Sequence, residues 1–276
     1  MHLGQLTDTH VVGPSSDDEH YADNNERLRV AVRSLNAEVP QVDAVVVTGD
    51  LTNSSEPPAY EILAHALGDV AAPCLVLPGN HDSRELTRST FPDMGWVDAE
   101  HLSWVHCVGA GPESARVIGL DSTRPGYHGA QFDEERAAWL DSILADPHDG
   151  ATILALHHPP FRTGIGWMDR AGFDGLERFA DVVTGRGITK IICGHLHRPI
   201  SGIVGGVPAQ IGLSPVQHVA LDLRDDADPS LVLDPVGYQI HRLADGHVVS
   251  HTRYIDTDAE PFVPDWAAGY DPTAPV

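Results

Sequence analysis

With 276 residues the chain is long enough for one large domain with its own core, and none of its apolar runs approaches the roughly 20 residues needed to cross a bilayer. A formal net charge of −23, with Lys190 the only lysine, repels polyanions and excludes a general nucleic-acid binder, yet leaves room for a small anion held through cations. Cys74, Cys107 and Cys193 lack C-x-x-C spacing, which excludes a thiolate zinc site and a disulfide framework; each lies in an apolar stretch and reads as a buried small hydrophobe.

The N-terminal Met-His-Leu-Gly-Gln-Leu-Thr-Asp has no basic stretch followed by an apolar one, so no signal peptide is expected and the expected location is the cytoplasm. Leu3–Thr7 predicts a buried strand, and Asn25–Glu38 a helix with Leu28, Val32 and Leu35 on one face. Strand Asp43–Thr48, helix Pro57–Asp69 and strand Cys74–Leu77 continue the alternation. Strands Leu102–Val108 and Ala115–Leu120 come next. Helix Asp133–Ala145 opens with acidic residues that suit the positive end of a helix dipole. Strand Ala151–Leu156, helix Phe173–Gly185 and strand Ile188–Cys193 follow.

Beyond that point strands dominate: Ile200–Val204, Val207–Gln210, Val216–Leu223, Gly237–Leu243 and His247–Ile255. The last two are joined by a tight turn at Ala244-Asp245-Gly246. The pattern predicts an α/β fold of two packed mixed β-sheets flanked by helices, in one domain over residues 1–255. Residues 256–276 read as an irregular tail, rich in Pro and aromatics, on the surface or in a subunit contact.

The chemistry collects in five short clusters, each at the end of a predicted strand. They are Asp8-Thr9-His10, Gly49-Asp50-Leu51-Thr52-Asn53, Gly79-Asn80-His81-Asp82, His157-His158-Pro159-Pro160 and Gly194-His195-Leu196-His197. Taken singly, each has a bland explanation: turn chemistry, a loop ordered by prolines, a capped helix start. Jointly they do not, because ligands bind outside the carboxyl ends of strands in open α/β sheets, and strands lying side by side would bring all of them to one rim. Carboxylate, amide and imidazole donors without a thiolate suit Mn, Fe, Zn or Co. The glycines at 49, 79 and 194 would let the backbone turn sharply.

The ordered set D-x-H, G-D, G-N-H-D, H-H and G-H-x-H, from Thr7 to Arg198, resembles the calcineurin-like metallophosphoesterase superfamily. Within it the likeness is greatest to the bacterial class III cyclic-nucleotide phosphodiesterases and the related glycerophosphodiesterases, through Leu-Pro-Gly-Asn-His-Asp and Cys-Gly-His-Leu-His. The resemblance implies an αββα sandwich holding two divalent metal ions. Asp8, His10, Asp50 and His197 would hold the first. Asp50 would bridge to the second, which Asn80, His157 and His195 complete. His81 would lie at the scissile phosphate as the catalytic side chain without binding metal. Asn53 stands where the family's protein phosphatases carry a second aspartate, which weakens that reading and points Asn53 toward substrate.

His218 is expected near the substrate pocket. Tyr21, Arg162 and Trp167 are candidates for its wall, and His158 for holding a ligand or a backbone carbonyl. Asp82 reads as a helix N-cap. The other histidines, His128 and His241 among them, read as structural or solvated. The implied reaction is hydrolysis of small phosphodiesters, either 3′,5′-cyclic nucleotides such as cAMP or glycerophosphodiesters, by a hydroxide bridging the two ions. The alternatives are a phosphomonoesterase or nuclease on the same core, or a non-catalytic module that has lost its metals. The module would lack several ligands, and here all seven positions are filled. Expected partners are the small substrate and, as in some relatives, further copies of the chain; no nucleic-acid polymer and no membrane are expected.

Overall fold

Val45, Val46 and Val47 are buried on both faces, as an unbroken β-branched run requires. They form the middle of β2 (Ala44–Thr48), which runs parallel to β1 (His2–Leu6) and β3 (Cys74–Leu77) because helices α1 (Asn24–Asn36) and α2 (Pro57–Gly68) return the chain between them. After α3 (Arg84–Thr90) come β4 (Trp104–Val108), β5 (Ala115–Leu120), β6 (Ala130–Gln131), α4 (Glu134–Leu144) and β7 (Ala151–Leu156). Next are α5 (Gly166–Asp169), β8 (Phe173–Asp174), α6 (Leu176–Val183) and β9 (Lys190–Cys193). Six strands close the chain: β10 (Ile200–Val204), β11 (Val207–Ile211), β12 (His218–Val219), β13 (Leu231–Val232), β14 (Gly237–Ala244) and β15 (His247–Tyr254). This computed structural model describes residues 1–14, 19–98 and 100–255, with 262 and 264, so nearly all of the tail expected over 256–276 lies outside the described residues.

Two mixed sheets result: five strands in the order β15-β14-β1-β2-β3, and six in the order β10-β11-β9-β7-β5-β4. Leu6, Val46 and Val76 of the first share one core with Trp104, Val117 and Ile153 of the second. The Trp104 indole N–H donates to the Val76 carbonyl at 2.7 Å across that interface. Leu28, Val32 and Leu35 bury one face of α1 in the same core, and truncating one of them to Ala would cost about 2–5 kcal/mol. Phe132 and Phe179 meet edge to face, centroids 5.2 Å apart, in a second core with α4 and α6. Helix, sheet, sheet, helix is the order of layers. No helix among the described residues is long and apolar enough to cross a membrane.

Several expectations need correction. The strand expected over Val216–Leu223 shrinks to His218–Val219, because its partner β13 offers only Leu231 and Val232. Phe173 and Asp174 are not helical; they pair with Ala130 and Gln131, and the helix starts only after Gly175. The helix start expected at Asp82 is the short α3, but its cap is Ser83, whose hydroxyl accepts from Leu86 N at 3.2 Å. Cys107 is exposed, since β4 is an edge strand whose alternate side chains face solvent.

Candidate metal centre

The carboxyl ends of the two sheets meet at a common rim. Asp8 and His10 follow β1, Asp50 follows β2, and Asn80 and His81 follow β3; His157 follows β7, and His195 and His197 follow β9 in the other sheet. Convergence onto one rim is therefore achieved by two sheets abutting, not by neighbouring strands of one. Their junction is held by His157 Nδ1–H, which donates to the Thr48 carbonyl at 2.9 Å.

The backbone is strained where it delivers these side chains. Six non-glycine residues among those described have positive φ, and five are Asp8 (52°), His10 (41°), Asp50 (47°), His195 (77°) and His197 (61°). Left-handed backbone costs an L-residue about 1–2 kcal/mol, so it persists only where neighbours over-determine it. Here they do. His10 N donates to the Asp50 carbonyl at 3.0 Å, and His195 N to both Asp8 carboxylate oxygens at 2.9 and 3.0 Å. Gly49, at φ 88°, turns where a Cβ would sit 2.6 Å from His157 Nδ1. Gly79 and Gly194 are needed for close approach rather than for turning, since a Cβ would overlap Asp50 at one and Thr7 at the other.

Tautomers reveal what the cluster is built to hold. His197 Nδ1–H donates to the Gln217 carbonyl at 2.7 Å, and His10 Nδ1 lies 3.2 Å from Asn53 Oδ1. Both Nε2 lone pairs then face each other at 3.1 Å, with Asp50 Oδ2 3.6 Å from one and Asp8 Oδ1 3.6 Å from the other. Beside them, His157 Nε2 lies 3.1 Å from Asn80 Oδ1, 3.2 Å from His195 Nδ1 and 3.4 Å from Asp50 Oδ2. Acceptors that face acceptors in a buried place are satisfied by cations. The donor set fits two of them, and Asp50 Oδ2 is the atom common to both groups.

Electrostatics agree. Burial, then the neighbouring His197, holds His10 well below the usual imidazole range, and burial with His158 and His157 does the same to His195; both are neutral, as metal ligands would have to be. Burial opposes ionisation of Asp50, but the His157 imidazole outweighs it and its pKa falls well below the carboxylate range. Burial likewise opposes charge on His157, yet Asp50 and Asp8 push it up to about 9. A divalent cation beside the same carboxylates would carry that charge instead.

The neighbours of the ligands hold them in place. His81 Nδ1 donates to the Asn53 carbonyl at 2.9 Å, leaving Nε2 for the cavity, and His81 N donates to Asp50 Oδ1 at 2.9 Å. The orienting group is thus a backbone carbonyl; the Asn53 side chain turns to His10. Asp82 accepts from Gly79 N, Leu51 N, Thr52 N, the Thr52 hydroxyl and the Tyr60 hydroxyl, tying the Asp50 loop to the Asn80 loop. His158 takes the Ser122 hydroxyl at Nδ1 and holds the His128 carbonyl through Nε2 at 3.1 Å.

Above the ligands opens a cavity of about 850 Å³, with His10, Asp50, Asn53, Asn80, His81, His195 and His197 at its floor. Tyr21, Tyr127, Trp167 and Phe173 line the wall, and the Arg124 guanidinium lies 3.8 Å over the Tyr127 ring. Two expected residues are not in it. Arg162 lines a neighbouring cavity that meets this one at Met168, Phe173 and His195, and His218 is 2% exposed while its neighbours Gln217 and Val219 form the wall. Burial, with His197 nearby, pulls His218 down to about 4, so it is a neutral residue packed behind the floor. His128, read as structural or solvated, lines the cavity with Nδ1 3.4 Å from Asn80 Nδ2. No motif marks it, because a loop threaded between β5 and β6 brings it there.

Buried carboxylate, amide and imidazole donors around two adjoining cation positions, under a roomy cavity, define a metal-dependent hydrolase site. The sequence profile of the calcineurin-like phosphoesterases matches residues 1–199, and the chain belongs to that family. A probable glycerophosphodiester phosphodiesterase of Arcobacter nitrofigilis is 31% identical over 266 residues, covering 95% of this chain and 96% of that one. A probable cyclic nucleotide phosphodiesterase of Rhodopseudomonas palustris is 37% identical over 223 residues, covering 79% of each. A dimetal phosphatase from Danio rerio shares the fold, with a TM-score of 0.69 over 92% of this chain and 96% of that chain at 15% identity.

Proposed function

We propose that the protein hydrolyses small phosphodiesters carrying one bulky planar arm, with 3′,5′-cyclic nucleotides ahead of glycerophosphodiesters. The observation that carries this reading is the aromatic wall. A cavity of about 850 Å³ flanked by Tyr21, Tyr127, Trp167 and Phe173 has room and stacking surface for a nucleobase, whereas a glycerophosphodiester needs only a small polar pocket. Relatives named for each substrate support the reaction class but not the choice between them.

Asp8, His10, Asp50 and His197 would hold one ion, and Asp50, Asn80, His157 and His195 the other, drawn from Mn, Fe, Zn and Co. Two such cations supply Lewis acidity, which makes water a nucleophile near neutral pH and offsets phosphoryl charge. Asp50 would belong to both sets, since its Oδ2 lies 3.6 Å from His10 Nε2 and 3.4 Å from His157 Nε2. His157 is fixed as the Nδ1–H tautomer by Thr48, and His197 likewise by Gln217, so each presents Nε2. His81, anchored on Asn53, directs Nε2 at the phosphoryl group; protonated, it donates to a phosphoryl oxygen or to the leaving alkoxide. Arg124 places a positive charge in the wall of an otherwise acidic protein, which favours an anionic substrate.

The test is kcat/KM of purified, Mn-loaded protein on cAMP and on glycerophosphoethanolamine, with bis(p-nitrophenyl) phosphate set against p-nitrophenyl phosphate. Cyclic AMP and the diester should be preferred. A preference for glycerophosphoethanolamine would remove the aromatic-wall reading, and a preference for the monoester would remove the diester reading.

A further inference from the structure

The main cavity does not end at its aromatic wall. Tyr21, Gln217 and Leu231 border it and also border a side chamber of about 420 Å³, which Val232 and Leu233 line together with Glu19, His20, Asp23, Asn24 and Arg27. The chain there makes an excursion between β12 and β14, pinned at its base by the pairing of His218 with Val232 and Val219 with Leu231. Leu231 (46%), Val232 (36%) and Leu233 (67%) are exposed on it beside the chamber. Exposed leucines are ordinary when scattered, but an apolar strip beside a cavity marks a binding surface. This strip is attached to the floor itself, since Gln217 holds His197 at 2.7 Å immediately before β12 begins.

We propose that the side chamber and the leucine strip bind a long aliphatic arm of a phosphodiester substrate, running from the metal rim past Tyr21 and Leu231 onto Leu233. A cyclic nucleotide would occupy the main cavity and leave this extension unfilled. A second copy of the chain would cover the strip, but it would have no cause to reach a chamber that shares Tyr21, Gln217 and Leu231 with the main cavity. Leu231, Val232, Leu233 and the Tyr21 ring give an alkyl chain apolar surface to lie on.

The inference rests on the phosphodiesterase reading, and a homologous series separates the two. In p-nitrophenyl alkyl phosphates from methyl to octyl, water adds at phosphorus and p-nitrophenolate leaves, so the alkyl arm stays on the product. Below their micellar concentrations, kcat/KM should rise about fourfold for each methylene that leaves water, the factor equivalent to ~0.8 kcal/mol. Leu233→Asp should flatten that slope, judged against the variant's own methyl ester so that any change in overall rate cancels. If the metal-loaded protein leaves the methyl ester intact, the phosphodiesterase reading fails. If it cleaves the methyl ester but the series is flat, only the alkyl groove fails. A dimer in sedimentation that Leu233→Asp dissociates, with the slope unaltered, would overturn the groove in favour of a subunit contact.

Discussion

The floor of the cavity and its wall are built by opposite rules. Asp8, His10, Asp50, His157 and His197 are almost wholly buried at the ends of strands, five ligand backbones are in the left-handed region, and hydrogen bonds cross between sheets to hold them there. Tyr127 and His128 stand on a loop and Trp167 on the four-residue α5; Tyr127 is exposed, and the wall is tied to the body by contacts such as the two-residue pairing of β6 with β8. Strain and burial are affordable only where geometry must be exact, around ions. Loops suffice where the requirement is a shape. The floor therefore speaks to the reaction and the wall to its substrate, and each should fail in its own way when altered.

The largest effect belongs to Asp50, whose Oδ2 faces both ligand groups. Asp50→Ala should remove several kcal/mol of transition-state stabilisation, on the order of 10³-fold or more in kcat/KM, together with bound metal. Metal analysis beside the assay separates this from a wall effect. His81→Ala should lower kcat by about 10²- to 10⁴-fold while metal content stays the same. If the metals were lost instead, His81 would belong to the ligand set. Asn80→Ala should weaken chiefly one ion, seen as activity that depends steeply on added Mn while the other ion remains bound.

Beneath the floor lies a buried polar chain. Gln5 donates to the Cys193 carbonyl and the Thr48 hydroxyl, and its Oε1 meets His241 Nε2 at 3.0 Å; His241 Nδ1 lies 2.7 Å from the Ser250 hydroxyl, which Lys190 also reaches. Burial, then Lys190, pulls His241 down to about 3 from 6.5. Its folded pKa lies below its unfolded one, so between these values the unfolded chain binds the extra proton and stability rises with pH. The contribution is complete above pH 6.5 and is lost toward about 3 at ~1.4 kcal/mol per pH unit. Denaturation midpoints of wild type and His241→Gln at pH 7 and pH 5 should diverge, with wild type falling faster. Parallel losses would mean that His241 is protonated in the folded protein.

The same division decides what could be read from the chain. The floor was legible because each candidate residue follows a strand, and strands of buried Val and Ile announce themselves: the positions of Asp8, Asp50, His157 and His197 at strand ends could be read from the chain. Two sheets flanked by helices were legible for the same reason. That the rim joins both sheets was not, because pairing order is set by contacts distant in sequence. His128 and Arg124 carry no pattern. They reach the cavity only because Arg84 and Arg136 hold the Thr123 carbonyl and His158 holds that of His128. His218 and Arg162 went astray in the opposite sense: the family resemblance for one and closeness in the chain to His158 for the other suggested a pocket role, and burial or loop direction sent each elsewhere.

The smallest change, Trp167→Ala, tests the distinction most finely. Trp167 lines the cavity from α5 and touches none of the ligand pairs described above. Removing its ring should cost ~1 kcal/mol of stacking with a nucleobase, the low end for an aromatic platform, and so raise KM for cAMP roughly fivefold. The same loss applies to ground state and transition state, so kcat should hold. Glycerophosphoethanolamine, with no ring to stack, should be cleaved as before, and metal content should match wild type. A fall in kcat on both substrates would mean that the wall helps to set the geometry of the floor, and the two regions would then have to be treated as one.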